Sequence, residues 1–570
     1  MKNISQYHKY FIFIFFLFTG STTTAAYRAP VWSQNGMAAT PHSTATDAAV
    51  EILTAGGNAI DAAVAAAFAL SVVEQYHSGL GGGEFAVLYM SDTDETIAID
   101  ARECAPAAAT PDMYINPQTN KSYEKKSYRG GWAVGVPGSV AGRVELVKKY
   151  GKLSLAEVIA PALKLAEEGF TIDRIMASRI KSYQDQLAEY KTAQKVFFNK
   201  GQPLKRGELL KQPQLARTLT SISSDNGKSF YHGKLAKQIV AACRDKGGIL
   251  STEDLANYKV IQRDPIRFDY RGYTIYSMPP PSSGGVCLAE ILNILEGFPM
   301  DYLEQGEAES YHLIASAFEA AFADRSKWLG DPDFTPIPVE GLISTKYADK
   351  LRKNINRHYR NPVKESGDPW TIESEGNTSH LSVIDSEGNM CAITTSVNTS
   401  FGSLVYVPEM GIFLNSTMDD FAKSPGEPNK WDLIGNNVNA VAPGKRPLSS
   451  MSPTLVFKDD KPYMCIGSVG GPRIITSVAQ IIINVIDFGI NIQSAIDAPR
   501  IHTQWKPDKL YIEKEIPPEV AEELRKRGWK VHSNNHWSLS QGVLFKADTG
   551  DFYGASDARG VGTAGPMQAR

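Results

Sequence analysis

Gly376-Asn377-Thr378-Ser379-His380 runs directly into Leu381-Ser382-Val383-Ile384-Asp385, and this junction decides how the rest of the chain is read. The second pentapeptide has the texture of a buried strand, and the first places a threonine hydroxyl at its head. A hydroxyl there is inert unless a base lies beside it. Breaking the peptide bond before Thr378 would free an α-amine, with an ordinary pKa near 8, within reach of the residue's own side chain. One residue would then supply both nucleophile and base. Alone, the stretch reads as an ordinary Asn-Thr turn leading into a strand, so the remaining sequence has to decide.

Its 570 residues allow two to four average domains or one large one. No internal repeat and no low-complexity linker is found, which favours a single interleaved core. The 59 lysines and arginines against 62 aspartates and glutamates leave a net charge of −3, with no long block of like charge, so nucleic acid is not expected as a partner. The first residues differ from all others: Lys2, His8 and Lys9 precede the apolar run 11–18, followed by Gly20 and Thr24-Ala25-Ala26. That is the build of a secretory signal peptide over 1–26, the alternative being a retained anchor. No later run is long and apolar enough to span a bilayer, so an exported product, periplasmic or secreted, without a stable membrane anchor is expected. The five cysteines, 104, 243, 287, 391 and 465, show no CxxC spacing, and several sit in apolar runs where a buried thiol is expected.

Helical patterns open the mature chain at 43–53 and 59–73, separated by Gly56-Gly57 and capped at Asn58. A glycine-rich turn, 79–83, leads to strand candidates at 85–90 and 96–100. The middle, 138–353, is mostly helical in period, clearest at 156–168, 215–222, 235–244 and 310–328, and is interrupted by the stiff loop Pro279-Pro280-Pro281-Ser282-Ser283-Gly284-Gly285. After Thr378 come short apolar runs, with a hairpin of 381–384 and 390–397 and one apolar helix near 476–487.

Four short motifs carry chemistry. Asp100-Ala101-Arg102-Glu103 puts a guanidinium at a strand end, where its fork fits a carboxylate, although an internal ion pair with Glu103 or another acid explains it too. Ser449-Ser450, held between Pro447 and Pro453, offers neutral donors or merely local backbone bonds. Gly467-Ser468-Val469-Gly470-Gly471-Pro472-Arg473 presents bare N–H groups before a helix, suited to an oxyanion; the phosphate alternative lacks the Gly-Lys-Ser/Thr pattern. Asp419-Asp420 supplies carboxylates for an ammonium, and without a histidine cluster the metal and glycosidase readings of paired acids lose force.

Together, and in this order, these motifs resemble the gamma-glutamyltransferase family. The matching text is Asp100 to Glu103, Pro279 to Gly285, Ala323-Asp324-Arg325-Ser326, Thr378-Ser379-His380, Met418-Asp419-Asp420-Phe421, 445–454, Gly470-Gly471 with Arg473-Ile474-Ile475-Thr476, and Gly554-Ala555-Ser556-Asp557. The resemblance implies an N-terminal-nucleophile hydrolase: an α/β, four-layer αββα sandwich of two stacked antiparallel sheets flanked by helices. It implies a precursor that cuts itself between Asn377 and Thr378 into a large subunit, 27–377, and a small one, 378–570, which stay together. In the family's terms Thr378 is the nucleophile and Ser396 supports its amine. Arg102, Ser449 and Ser450 hold the α-carboxylate of a γ-glutamyl group, Asn398 and Asp420 its ammonium, and Gly470 and Gly471 the oxyanion. Arg102 and Asp420 are expected at opposite ends of the acyl group.

Three departures stand out. Thr417 replaces a usual Gln or Glu near the ammonium, Trp431 occupies the aromatic position of an expected lid over 425–432, and Glu84 replaces a glycine. The implied reaction is acyl transfer from glutathione or a related γ-glutamyl amide to water, an amino acid or a dipeptide, with neither cofactor nor metal. The alternatives are a cephalosporin-type glutaryl acylase on the same scaffold and a non-catalytic exported amino-acid or peptide-binding protein.

Overall fold

The computed structural model describes residues 28–369, 379–423, 428–430, 432–434, 437–534 and 538–568. The signal-peptide segment 1–26, the junction Asn377-Thr378 and Trp431 lie outside the described residues. Two seven-stranded sheets face one another. In spatial order the first contains Ile261–Arg263, Glu95–Ala101, Gly83–Met90, Met390–Ser396, Ser379–Asp385, Gly36–Thr40 and Thr563–Pro566. The second contains Val31–Ser33, Asp551–Ser556, Leu539–Lys546, Lys461–Val469, Thr454–Lys458, Tyr273–Ser277 and Ile266–Tyr270. Every neighbouring pair is antiparallel.

Alternation along each strand builds the layers. From Gly83–Met90, Phe85, Val87 and Tyr89 enter the core between the sheets, while Ala86 and Leu88 face the helices outside. Met390 and Ala392 divide from Cys391 and Ile393 in the same way. Strands covered on both faces read as continuous apolar runs. Helices Ser43–Ala55 and Ala59–Val73 cover the first sheet, and Gly284–Glu296, Ala308–Trp328 and Arg473–Ile486 cover the second. The layering is therefore αββα, as expected.

Local signals act as read. Gly56 ends the first helix at φ 102°, and Asn58 and Asp61 cap the next reciprocally. The apolar helix expected at 476–487 begins earlier, at Arg473, directly after Pro472. The middle third is mostly helical, as its period suggests, but not throughout. Ile266–Tyr270 and Tyr273–Ser277 form a hairpin there, and it joins the second sheet beside Thr454–Lys458. Strands from both ends of the chain thus share each sheet. All five cysteines are unpaired, four of them buried.

Glu84 acquires a structural account. It occupies a helix-facing position of its strand, and Arg143 from helix Ser139–Tyr150 meets it with Nε at 3.0 Å. Arg143 also donates to Ser71 Oγ at 2.7 Å and Thr395 Oγ1 at 3.3 Å. The acid thus belongs to a buried polar tie between helix and sheet.

Candidate active site

The described chain resumes at Ser379, and the strand it opens pairs Ser379 with Thr395. His380 points between the sheets, its ring nitrogens 3.0 Å from Thr394 Oγ1 and 2.9 Å from Ser382 Oγ. Burial lowers its pKa to about 3, so it is a neutral member of the core. A β-carbon at Gly467, on the facing sheet, would strike this ring. The thiol of Cys465 lies against Ser382 and the backbone of Val383. Stepping from Ser382 back to His380 therefore steps from Cys465 forward to Gly467. The same direction carries Gly470 and Gly471 toward the head of the Ser379–Asp385 strand. Both glycines have positive φ, 126° and 66°, between the end of Lys461–Val469 and the start of Arg473–Ile486.

Ser396 ends the strand beside it, and its Oγ accepts the Asn398 N–H at 2.7 Å. Asn398 adopts φ 71° and donates Nδ2 to the Ser416 carbonyl at 2.8 Å. That bond leads to the one-turn 3₁₀ helix Thr417–Asp420, in which residues three apart share a face, so Thr417 and Asp420 stand together.

Arg102 emerges from strand Glu95–Ala101 fully buried. Its Nη2 meets Asp420 Oδ2 at 2.6 Å, its Nη1 lies 3.4 Å from Glu103 Oε2, and Nε and Nη2 donate to the Pro447 and Leu448 carbonyls at 3.1 and 3.3 Å. The expectation that Arg102 and Asp420 stand at opposite ends of a pocket is thereby corrected. They touch, because two buried charges left apart would each bear the full loss of hydration. The internal-pair reading of Arg102 holds with both acids. Asp420 is nevertheless incompletely satisfied, since among the described residues Oδ1 accepts no hydrogen bond. Burial raises its pKa to about 7 against the opposing pull of Arg102. Glu103 takes the Thr417 hydroxyl at 2.7 Å, and burial pushes its carboxyl up while Arg102 and that hydroxyl pull it down.

The glycine-rich turn lets these groups meet. A β-carbon on Gly81, Gly82 or Gly83 would collide with the Phe413 carbonyl, the Ser396 carbonyl or the Glu103 carboxylate. Asp419, by contrast, turns away, to Ser127 Oγ at 2.5 Å, Lys423 Nζ at 3.0 Å and the Lys430 N–H at 3.1 Å. It secures one flank of the expected lid.

Ser449 and Ser450 follow on the segment that Arg102 grips. The proline loop supports them: the Ser449 N–H donates to the Pro281 carbonyl at 2.8 Å, and Ser283 Oγ donates to the Ser449 carbonyl at 2.7 Å. The Ser449 hydroxyl accepts the Met451 N–H at 3.1 Å. That of Ser450 accepts Arg325 Nη2 at 2.7 Å, and the same guanidinium donates Nε to Ser283 at 3.0 Å. Arg102, Asp420, Glu103 and Thr417 thus form one hydrogen-bonded network; Ser396 and Asn398 adjoin it through Ser416, next to Thr417, and Ser449 and Ser450 follow the Pro447-Leu448 segment that Arg102 holds. It combines fixed cationic, anionic and hydroxyl groups, as recognition of a zwitterion requires. Among the described residues no cluster of three or more His, Cys, Asp or Glu side chains is placed to hold a metal ion.

Residues 45–567 match the family model described as gamma-glutamyltranspeptidase. The chain belongs to the gamma-glutamyltranspeptidase family. It is 44% identical over 534 residues to the glutathione hydrolase proenzyme of Escherichia coli strain K12, covering 93% of this chain and 92% of that protein. The glutathione hydrolase proenzyme of Pseudomonas sp. strain A14 is 41% identical over 549 residues, covering 94% of each. Among solved structures, cephalosporin acylase from Bacillus halodurans matches with a TM-score of 0.85 at 32% identity, covering 97% of this chain and 99% of its own.

Within this gamma-glutamyltranspeptidase scaffold, two charges in or beside the network received no role in the sequence reading, Glu103 and Arg325. Glu103 stood out only as a neighbour for Arg102. Arg325 had one available signal, its place in the matching stretch Ala323-Asp324-Arg325-Ser326, inside the mostly buried helix Ala308–Trp328. Among the described residues no helix is long and apolar enough to cross a membrane.

Proposed function

We propose that this chain is an exported γ-glutamyl acyltransferase and glutathione hydrolase, matured by cleavage between Asn377 and Thr378 into subunits 27–377 and 378–570. The observation that carries the reading is the Arg102–Asp420 pair: Asp420 Oδ1 accepts no hydrogen bond among the described residues, and Arg102 also holds the Pro447 and Leu448 carbonyls just before Ser449 and Ser450. A γ-glutamyl group brings an ammonium and a carboxylate on one carbon. Exchanging partners with the internal pair satisfies all four charges: the carboxylate takes Arg102, Ser449 and Ser450, and the ammonium takes Asp420, Asn398 and Thr417.

In this reading Thr378 Oγ attacks the γ-amide carbonyl while its own α-amine, supported by Ser396, takes the hydroxyl proton. The oxyanion rests on the Gly470 and Gly471 N–H groups. The amine returns the proton to the departing amide nitrogen, leaving a γ-glutamyl ester on Thr378. Water, an amino acid or a dipeptide then attacks that ester and gives its proton to the amine, which passes it to Thr378 Oγ as the ester bond breaks and the acyl group leaves.

The test is a denaturing gel with N-terminal sequencing of the smaller fragment, alongside turnover of a γ-glutamyl anilide. Wild type should yield a fragment beginning at Thr378, and Thr378→Ala an uncut, inactive chain. Unbroken wild-type protein with full activity would refute the assignment. A glutaryl acylase is the second reading, favoured by the likeness to the Bacillus halodurans cephalosporin acylase and by the short Thr417 in place of a longer acceptor. It requires glutaryl anilides to be cleaved faster than γ-glutamyl anilides.

A further inference from the structure

We infer that two buried charges behind the acyl site, Glu103 and Arg325, set the direction of its hydroxyl hydrogen bonds. Glu103 fixes Thr417 as an acceptor for the donor's ammonium, and Arg325 fixes Ser450 as a donor to its carboxylate. The inference rests on the γ-glutamyl reading above and names residues that act without touching the substrate.

A hydroxyl carries one hydrogen and two lone pairs, so a neighbour that claims one kind leaves the other to face a ligand. Thr417 spends its hydrogen on Glu103 Oε1 at 2.7 Å, and its lone pairs remain, on the same 3₁₀ face as Asp420, whose Oδ1 accepts no hydrogen bond among the described residues. Thr417 thereby replaces a longer acceptor without forfeiting the acceptor role. Ser450 is wired the opposite way. Guanidinium has no lone pair to offer, so the 2.7 Å contact makes Ser450 Oγ the acceptor and frees its hydrogen. Ser283, which also accepts from Arg325, spends its own hydrogen on the Ser449 carbonyl, which fixes that carbonyl and the turn carrying both serines. Thr417, Ser450, Glu103 and Arg325 are all essentially inaccessible to solvent, so bulk water does not scramble these orientations.

The consequence is a separable selectivity. Glu103 and Thr417 govern recognition of the ammonium, and Arg325 and Ser450 govern recognition of the carboxylate. Three anilides read the two halves apart in the mature enzyme: γ-glutamyl, glutaryl (no ammonium) and 4-aminobutyryl (no carboxylate). In Glu103→Gln, Arg102 draws the amide oxygen and turns the amide NH₂ toward Thr417, reversing that hydroxyl. The γ-glutamyl over glutaryl ratio of kcat/KM should fall about tenfold, and the γ-glutamyl over 4-aminobutyryl ratio by no more than about twofold, because Arg102 keeps Asp420 and the two backbone carbonyls. Arg325→Lys, which cannot serve Ser283 and Ser450 together, should lower only the second ratio, by about fivefold.

Each effect should vanish when its relay is gone, Glu103→Gln in a Thr417→Val background and Arg325→Lys in a Ser450→Ala background. If a charge variant fails to accumulate, Thr417→Val must lower only the first ratio and Ser450→Ala only the second. Ratios that fall together, or effects that survive in those backgrounds, overturn the inference. A wild-type enzyme with no preference for the γ-glutamyl anilide fails the proposed function instead.

Discussion

Asp420 and Asp557 are both buried carboxylates facing arginines, yet they are finished differently. Asp557 accepts Arg500 Nη2 at 2.6 Å and the Ser540 N–H at 3.2 Å on one oxygen, and Arg559 Nη1 at 3.1 Å and the Arg559 N–H at 3.0 Å on the other. Burial would raise its pKa, but Arg500 and Arg559 outweigh burial and hold it below the usual carboxylate range. Asp420, among the described residues, faces one arginine and keeps an oxygen that accepts no hydrogen bond, has an acidic neighbour in Asp419, and its pKa is raised to about 7. The first is a completed structural joint. The second is an incomplete one, and an incomplete buried charge is what a ligand of opposite charge can finish.

The strongest way to break this comparison is to neutralise both acids. Asp557→Asn strands two buried guanidinium groups and is expected to lose about 3–5 kcal/mol in denaturant unfolding. Asp420→Asn should stay folded at ordinary temperature while kcat/KM for a γ-glutamyl donor drops about 10²–10³-fold. Equal loss of stability in the two variants would erase the distinction. Arg102→Lys is next: one ammonium cannot serve Asp420 and both backbone carbonyls, so donor KM should rise about 30-fold while maturation, followed on a gel, proceeds.

pH sharpens the contrast. Donor binding uses ionised Asp420, so KM should increase as pH falls below about 7, by up to about tenfold per unit, and Asp420→Asn should lose that dependence. Stability runs the other way at the same residue. A carboxyl whose folded pKa is raised contributes stability below its unfolded value, near 4, and loses it as pH climbs toward 7. Asp557, being lowered, contributes above about 4 and loses its share only in stronger acid. Asp420→Asn should therefore be most destabilising near pH 5 and least near pH 7.5, by up to about 1.4 kcal/mol per unit between them, as chemical denaturation would read. The smallest expected effect is Thr417→Gln, whose longer acceptor should raise the preference for γ-glutamyl over glutaryl anilides about threefold.

Much of this was legible along the chain. The capped helix Ala59–Val73, the hairpin of Ser379–Asp385 and Met390–Ser396, and the strand end before Arg102 all follow from periodicity and turn residues within a few positions. Part of the candidate site was legible as short motifs because Arg102, Ser396 and Gly470-Gly471 sit at or just after strand ends, where the backbone fixes them. The second-sheet hairpin Ile266–Tyr270 and Tyr273–Ser277 was not, because its period is short and its pairing partner lies far downstream at Thr454–Lys458.

Sequence alone determined many of the turns and element ends, since those depend on local propensity and on which residues shun water, while the layers followed from the family resemblance. Only the tertiary structure decided that Arg102 and Asp420 touch, that Glu84 answers Arg143, and that Glu103 and Arg325 stand behind Thr417 and Ser450. Each is a contact across tens to hundreds of residues. A buried charge takes whichever opposite partner the packed elements bring within reach, and no local pattern encodes that choice.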